Sequence, residues 1–297
     1  MEEEVAYYSK DFDWNDLREE VESAQDLARV EEKAISSEHA CTAALAWEKF
    51  HSRHSQGIFF KERRYLLKEF PELGRSNQEF TVLEVGCGAG SSAIPILRAT
   101  TTARVYACDL SEAAVSLTNK MGEKALNEQA KSRLWTFVCD PSCEALPAWL
   151  ACDACRASDF GIKSSLVSCC EGGADFITLI FSLSALADLD QMSNLLKECC
   201  SVLRPGGMLL FRDYGLYDMT MLRFPADQKV AANCYRRFDG TLSYFFSCEA
   251  VRDLFTGAGL LEVELEYCCI KLVNHKTKVP MKRVWVHAKF MKPDHTK

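Results

Sequence analysis

Three glycines at alternate positions follow a short apolar run in this 297-residue sequence. The run from Phe80 to Val85 has the length and residue types of a buried strand, and Gly86, Gly88 and Gly90 come directly after it. Glycine lets the backbone turn tightly and approach a ligand where a Cβ would intrude. Such turns also join strands to helices without any ligand, so the neighbouring residues must decide between a binding site and a simple turn.

Three carboxylates accompany the glycines in three predicted strands. Glu84 lies in the first strand, while the strands predicted from Ala103 to Asp109 and from Leu134 to Asp140 each end in an acid. Because the carboxyl ends of parallel strands meet at one edge of a sheet, we expect these acids to converge on one crevice. Asp109 can accept hydrogen bonds from both hydroxyls of a ribose. A buried carboxylate at Glu84 needs a partner, which a ligand with an amino group or a sulfonium would supply.

A nicotinamide dinucleotide would also explain Asp109, but its fingerprint is G-x-G-x-x-G with a pyrophosphate at the helix N-terminus. This sequence has G-x-G-x-G instead, and the Glu84 carboxylate in front of it would repel a pyrophosphate. The pattern resembles the S-adenosylmethionine (SAM) site of class I methyltransferases. That resemblance implies SAM as the cofactor, with Asp109 on the ribose, Asp140 near the adenine and the Gly86 to Gly90 turn under the methionine.

The order of elements predicts an α/β fold. Strands alternate with helices after the glycines, which indicates a parallel, doubly wound sheet. The segments Leu260 to Lys271 and Lys282 to Phe290 are typical of two further strands in a hairpin. Seven mostly parallel strands with a final antiparallel strand resemble the Rossmann-like class I SAM-dependent methyltransferase fold.

We divide the chain into three parts. We expect residues 1–35 to form an acidic mobile arm that can order against the body or a partner. We predict a helical lid and RNA-binding segment at residues 36–75, with helical core packing as the alternative for its apolar residues, and the methyltransferase domain at residues 76–297. A thiol-rich insertion spans about residues 141–173, and its cysteines are Cys143, Cys152, Cys155, Cys169 and Cys170. Cys152 and Cys155 form a C-x-x-C without a second C-x-x-C, so we expect no metal site.

The charge of the chain is unevenly distributed. Its net charge is −7, but residues 1–33 hold twelve acids and four bases, which is −8 and leaves about +1 for residues 34–297. Five basic residues cluster at 53–68, and residues 271–292 hold seven Lys or Arg and no acid. These two basic surfaces suit phosphate contacts, although a solvated face is the plain alternative.

Composition restricts the compartment. No run of eighteen apolar residues occurs, so we expect no membrane association, and the acidic N-terminus argues against a signal peptide. Fifteen cysteines without a secretion signal indicate reduced thiols. We expect a monomeric protein of the cytoplasm, with a nuclear pool as the alternative.

Two later stretches are more specific than the glycine motif. They are FRDYGLYDMTMLRF at 211–224 and YRRFDGTLSYFF at 235–246, with WEKFHSR and FFKERR earlier in the chain. Together they resemble the tRNA N3-methylcytidine methyltransferases of the methyltransferase-like family, closest to the branch that acts on serine tRNAs. The resemblance implies methylation of cytidine N3 at position 32 of the tRNA anticodon loop. It also suggests that seryl-tRNA synthetase helps to deliver the substrate.

The same resemblance assigns site residues. Cofactor contacts fall on Trp47, His51, Gly86, Asp109, Asp140, Pro141 and Ile180. Relatives tend to have Tyr at position 51 and Leu at position 141, and a surface histidine is the alternative for His51. Asp213, Tyr214 and Tyr217 form the predicted catalytic group. The predicted RNA contacts are Phe60, Lys61, Arg63, Arg64, Arg223, Arg236, Arg237 and Phe246.

The chemistry of cytosine fits these residues. N3 of the neutral base carries a free lone pair, so no strong general base is required, and the site must hold the base while its product becomes cationic. We expect Asp213 to hold the exocyclic amine and offset that charge, with an ion pair to Arg212 or Arg223 as the alternative. Two other functions stay open, a methyltransferase for a small molecule or protein and a non-catalytic subunit that binds SAM or tRNA.

Overall fold

The computed structural model describes residues 10–24, 37–55, 62–74, 78–151, 173–186, 188–273 and 279–294. Ten strands are present in these ranges: β1 (Phe80–Val85), β2 (Ala103–Asp109), β3 (Leu134–Val138), β4 (Ala174–Ile180), β5 (Leu203–Tyr214), β6 (Lys229–Ala231), β7 (Cys234–Arg236), β8 (Leu242–Tyr244), β9 (Leu261–Val273) and β10 (Pro280–Met291).

Nine α-helices lie in the same described ranges: α1 (Trp14–Ala24), α2 (Ser37–Arg53), α3 (Leu66–Glu69), α4 (Ala93–Ala99), α5 (Glu112–Ala125), α6 (Glu128–Lys131), α7 (Leu189–Val202), α8 (Met219–Leu222) and α9 (Cys248–Gly257). The N-cap of α5 follows the usual chemistry, because the Ser111 hydroxyl accepts a hydrogen bond of 3.1 Å from the Ala114 N–H.

Seven strands form the central sheet, in the order β3-β2-β1-β4-β5-β10-β9. β1 to β5 are parallel to their neighbours, and β10 runs antiparallel to both β5 and β9. β1 lies between β2 and β4, and every one of its residues is buried, as a strand covered on both faces requires. The predicted α/β sheet is therefore confirmed.

A second sheet was not predicted. It has three antiparallel strands in the order β6-β7-β8, and it lies in the chain between β5 and α9. Its strands are only three residues long, which is too short for an alternating pattern to stand out in the sequence. The sheet packs β8 beside the turn Leu183–Ala185 that follows β4, and so it adds a wall at the carboxyl edge of the central sheet.

Part of the acidic arm is packed on the domain. Leu17 and Val21 of α1 are buried against the β9–β10 hairpin, and the Trp14 ring stacks on Tyr267 with centroids 4.3 Å apart. The Asp11 N–H also donates to the Cys269 carbonyl over 2.7 Å. Residues 10–24 thus lie against the body of the domain, one of the two arrangements expected for the arm, while residues 1–9 and 25–36 lie outside the described ranges.

A buried ion pair and a hydrogen bond join α3 to the neighbouring strands β5 and β10. Arg212 in β5 is fully buried, and its guanidinium lies 2.5 Å from the Glu69 carboxylate of α3. The same carboxylate oxygen lies 2.9 Å from Nδ1 of His287 in β10. Arg212 is therefore paired with Glu69. The alternative in which Asp213 forms an ion pair with Arg212 is thus excluded.

We expect Glu69→Gln to destabilise the protein strongly. The substitution leaves the buried Arg212 guanidinium without its carboxylate, and breaking a buried pair in this way typically costs about 3–5 kcal/mol. The measurement is the free energy of unfolding from urea titration. Glu262→Gln is the matched control, since Glu262 pairs with Arg252 on the surface and such pairs contribute about 1 kcal/mol or less. Equal losses in the two variants would contradict a special role for the buried pair.

Candidate functional site

A large cleft opens at the carboxyl ends of β1, β2 and β4. It holds about 930 Å³ of space free of protein atoms, part of it open to solvent. The predicted site residues that line it are Trp47, His51, Arg63, Gly86, Gly88, Asp109, Asp140, Pro141, Tyr214 and Arg237. Residues from four distant parts of the sequence thus meet in one place.

The glycine turn brings two strand ends into direct contact. Gly86 has φ +78°, and a Cβ at this position would lie 2.6 Å from the Cβ of Ser182, the second residue after β4. Any larger residue would force these strand ends apart. Gly90 does not line the cleft, because it packs against Ile94 of α4 and Thr118 of α5. The third glycine therefore serves helix packing, not ligand contact.

Asp109 is fixed by the backbone at the end of β2. Its Oδ2 accepts a hydrogen bond of 2.9 Å from the Gly88 N–H, and its Oδ1 accepts one of 3.0 Å from the Ser111 N–H. Burial raises the pKa of the Asp109 carboxyl, and the nearby His51 opposes that rise. The carboxylate thus links the glycine turn to the start of α5 while it faces the cleft.

α2 covers the cleft with two aromatic side chains. Trp47 and His51 both line it, and their ring centroids lie 5.8 Å apart with planes inclined by 28°. His51 is only 6% exposed, which excludes a surface histidine, and burial lowers the pKa of its imidazole. α2 is held on α5, where the Glu48 carboxylate accepts a hydrogen bond of 3.4 Å from the Ala113 N–H.

The segment after β3 forms the next wall. Pro141 is buried and lines the cleft, and the Asp140 Oδ1 accepts hydrogen bonds from the N–H and the hydroxyl of Ser142 at 3.1 and 2.6 Å. These contacts hold the turn after the strand in place. Cys152, Cys155, Cys169 and Cys170 lie outside the described residues, and no cluster of metal-ligating side chains occurs among the described ones.

Arg63 lies inside the cleft, whereas the basic run FFKERR suggested an RNA contact. Its Nη1 donates to the Ser92 hydroxyl over 2.9 Å and lies 3.9 Å from Oε1 of Glu84. Glu84 is 1% exposed and does not line the cleft, and its Oε2 accepts a 2.9 Å hydrogen bond from the Ala93 N–H. The partner expected from a ligand is therefore supplied by the protein itself.

Ile180 is placed differently from the prediction. It is buried in the core at the end of β4, and the next two residues, Phe181 and Ser182, line the cleft instead. Phe181 adopts φ +54°, a conformation that is strained for a side chain of this size and is typical of functional sites. Its ring lies 5.7 Å from the Arg63 guanidinium and 5.0 Å from the Tyr214 ring. The rule that strand ends line the crevice could have identified both residues.

Asp213 is fully buried behind the cleft and does not line it. Its Oδ2 accepts a hydrogen bond from the Ser184 N–H and its Oδ1 one from the Tyr214 N–H, both at 2.9 Å. Burial raises the pKa of the Asp213 carboxyl to about 6. Tyr214 does line the cleft, and its hydroxyl accepts a 3.4 Å hydrogen bond from Nη2 of Arg237.

Two aromatic residues, predicted as a catalytic residue and an RNA contact respectively, contact other parts of the protein instead. The Tyr217 hydroxyl donates to the Glu22 carboxylate of α1 over 2.7 Å, and its ring lies 5.7 Å from Trp14. Phe246 is fully buried and packs its ring against Tyr244 and Phe211 at centroid distances of 4.7 and 5.7 Å. Their positions within aromatic sequence motifs gave no indication of which rings face the core.

The predicted RNA residues are distributed over the surface. The Arg64 side chain is 81% exposed, Arg223 is exposed, and Arg236 is half-buried. Phe60 and Lys61 lie outside the described residues. In the second basic surface, at 271–292, three of the seven basic residues are paired with acids: Lys282 with Glu20, Arg283 with Asp218 and Lys289 with Glu72. Lys276 and Lys278 lie outside the described residues.

The cleft suits a polar ligand with a ribose and an aromatic base. The side-chain atoms Trp47 Nε1 and Ser182 Oγ are buried, and within the described residues neither has a hydrogen-bond partner. Both belong to residues that line the cleft, as does Asp109, the predicted ribose acceptor. Aromatic walls and unsatisfied donors next to a fixed carboxylate fit SAM.

We expect Glu84→Gln to become more stable than the original chain as pH rises. Burial raises the pKa of the Glu84 carboxyl to about 7, whereas it is about 4.5 in an unfolded chain. Between these values the folded state binds more protons than the unfolded state, so Glu84 lowers stability as pH increases through this window. The measurement is the melting temperature of both proteins from pH 5 to pH 8 without cofactor. Exposed Glu128→Gln is the control, and a Glu84→Gln difference that does not change with pH would contradict the expectation.

Comparison with known proteins agrees with this geometry. A methyltransferase-domain family model matches residues 53–265. The tRNA N(3)-cytidine methyltransferase METTL6 of Homo sapiens is 36% identical, over 83% of this chain and 79% of the relative. The tRNA N(3)-cytidine methyltransferase METTL2 of Xenopus tropicalis is 32% identical, over 95% of this chain and 90% of the relative.

Solved structures share the fold. The 1,6-didemethyltoxoflavin-N1-methyltransferase of Burkholderia thailandensis, with bound S-adenosylhomocysteine, superposes with a TM-score of 0.57 at 14% identity, over 89% of this chain and 93% of that one. At that identity the likeness concerns the class I fold alone. The family match and the two relatives show more than the fold. They show that the chain belongs to the tRNA N(3)-cytidine methyltransferase family.

Proposed function

We propose that this enzyme transfers a methyl group from SAM to N3 of cytidine 32 in the anticodon loop of serine tRNA. Family membership supports the tRNA N3-cytidine reaction, and the finer choice of serine tRNA rests on the likeness to the METTL6 relative. The observation that carries the proposal is the cleft itself. It joins a ribose acceptor, Asp109, to an aromatic and cationic wall formed by Tyr214 and Arg237.

Different cleft residues contact different parts of the cofactor. Asp109 accepts the ribose hydroxyls, and Asp140 and Pro141 border the adenine. Arg63, held in place by Glu84 and Ser92, binds the carboxylate of the methionine moiety, because a guanidinium fixed on one side by a carboxylate still has donors for a second anion. SAM supplies a methyl group activated by its sulfonium, and the protein supplies position.

The base requires little acid–base chemistry. Cytosine N3 has a free lone pair at neutral pH, so the protein must hold the ring in line and keep water away. Tyr214 offers a ring for stacking at the cleft, and its hydroxyl is fixed by Arg237. Asp213 acts through its neighbours as a positioning residue, since its two carboxylate oxygens hold the backbone at Ser184 and Tyr214.

Basic residues outside the cleft bind the RNA backbone. Arg64 and Arg223 have the exposure that phosphate contacts need, half-buried Arg236 directly precedes Arg237 of the cleft, and Phe60 and Lys61 continue the same basic segment in the sequence. Seryl-tRNA synthetase acts as a delivery partner, as the serine-tRNA branch implies.

Within the described residues no helix has both the length and the apolar character to cross a membrane.

The direct test is nucleoside analysis of tRNA incubated with the protein and SAM, with and without seryl-tRNA synthetase. We expect 3-methylcytidine in serine tRNA with the original chain and none with Asp109→Ala, because the ribose loses its acceptor. Calorimetry with SAM must show the same loss of binding in that variant, while its circular dichroism stays unchanged. Methylation at another nucleoside, or none with either preparation, would refute the proposed reaction.

Two adjacent arginines give a sharper test of the site. We expect Arg63→Ala to weaken SAM binding at least tenfold, since it removes the proposed carboxylate partner inside the cleft. Arg64→Ala should leave SAM binding unchanged and reduce the log–log salt slope of tRNA binding by roughly 0.7 to 0.9. Calorimetry and fluorescence anisotropy separate the two effects. The assignment fails if Arg63→Ala binds SAM normally or if both variants behave alike.

A further inference from the structure

One phenylalanine projects from the wall of the cleft into solvent. Phe238 is 93% exposed, more than any other large hydrophobic side chain in the described ranges. It lies in the turn between β7 and β8, within the motif YRRFDGTLSYFF. A phenyl ring in this position makes no contribution to the core. A single exposed apolar side chain is ordinary on a protein surface, so the role of this ring must be argued from the residues around it.

The turn that carries Phe238 is rigid. The Arg237 N–H donates to the Thr241 carbonyl over 2.8 Å, and the Gly240 N–H donates to the Arg237 carbonyl over 2.9 Å. Asp239 accepts from both the N–H and the hydroxyl of Thr241, at 3.0 and 2.7 Å. Gly240 adopts φ +90°, which a glycine tolerates. The ring is therefore presented by a fixed backbone, and the acid beside it is already engaged.

The turn is located beside the entrance to the cleft. Arg237, directly before Phe238, lines the cleft and holds the Tyr214 hydroxyl. On the other side, Gly240 lies against Ala46 of α2, since a Cβ on the glycine would be 3.4 Å from the alanine Cβ. The phenyl ring thus stands between the helix that covers the cofactor and the sheet that carries the base-facing tyrosine.

The charges around the ring favour a nucleic acid. Arg236 and Arg237 precede Phe238, and the Asp239 carboxylate accepts a hydrogen bond from the Thr241 hydroxyl. An aromatic ring next to arginines is the arrangement that proteins use to bind unpaired nucleotides, with the ring under a base and the cations near phosphates. A protein partner would more often bury an aromatic ring among other apolar side chains.

We propose that Phe238 is a stacking platform for an unpaired nucleobase of the RNA, next in sequence to the cytidine that enters the cleft. This inference rests on the proposed function. Moving one base into a pocket removes its stacking contacts with the adjacent bases in the strand. A phenyl ring at the entrance replaces one of these contacts, holds the neighbouring base outside the cleft and fixes which nucleotide is admitted.

The test uses an anticodon stem-loop RNA with 2-aminopurine placed, in separate preparations, on either side of the target cytidine. Stacking on Phe238 changes the 2-aminopurine fluorescence at one of the two positions when the protein binds. We expect Phe238→Ala to abolish that change and to weaken RNA binding about tenfold, as loss of one base–aromatic stack does. Phe238→Trp should retain both signals, because its ring also stacks.

Controls separate stacking from folding and from lost charge. Leu222→Ala removes another exposed apolar side chain, on α8, and should bind the RNA like the original chain. SAM affinity and the melting temperature of Phe238→Ala should be unchanged. In steady-state methylation the loss should appear in KM for RNA, with kcat largely retained. Binding within twofold of the original chain, with the fluorescence change intact, would overturn the proposal.

The outcomes also distinguish this proposal from the proposed function. The fluorescence measurement needs no turnover, so it decides the stacking even if no 3-methylcytidine is formed. If methylation occurs and Phe238→Ala behaves normally, the reaction is correct and the platform is not. A defect seen only when seryl-tRNA synthetase is present, with direct RNA binding intact, would assign the ring to a protein contact and overturn the stacking.

Discussion

The close approach of Gly86 to Ser182 determines the shape of the cleft. The ends of β1 and β4 lie so near each other that a single Cβ would overlap the serine side chain. The glycine turn can then reach Asp109, whose carboxylate bridges Gly88 and Ser111. The turn after β4 also carries Phe181 and Ser184, which line the cleft. A substitution at Gly86 would therefore shift residues on both the cofactor side and the base side of the site.

Three buried carboxylates around the cleft have the same kind of environment. Glu84, Asp109 and Asp213 each accept a backbone N–H, from Ala93, Gly88 and Ser184, and burial raises the pKa of all three. Burying charge is costly, and a raised pKa means that the fold would be more stable with neutral groups. This cost lies at the ends of β1, β2 and β5 around the cleft, where enzymes commonly retain unfavourable charge for the sake of their chemistry.

The sequence predicted the central sheet and the cofactor side of the cleft, because these depend on local signals. Strand length, glycine spacing and acids at strand ends all follow from the chain near Gly86 and Asp109. It gave no indication of burial that is decided by distant partners: Phe246 belongs to the core, Tyr217 contacts α1, and Arg63 lines the cleft. Arg63 and Arg64 are adjacent in one basic run, and nothing local indicates that only one of them turns inward.

The docking of α1 on the β9–β10 hairpin has a consequence for how the protein discriminates among polyanions. Glu20 of α1 pairs with Lys282, and other basic residues of the hairpin pair with acids of the domain. At these paired cations few counterions would be released when a nucleic acid approaches, so they offer little of the salt-sensitive attraction on which indiscriminate binding depends. An acidic helix bound to the protein's own basic strand thus weakens the non-specific attraction of this part of the hairpin for polyanions.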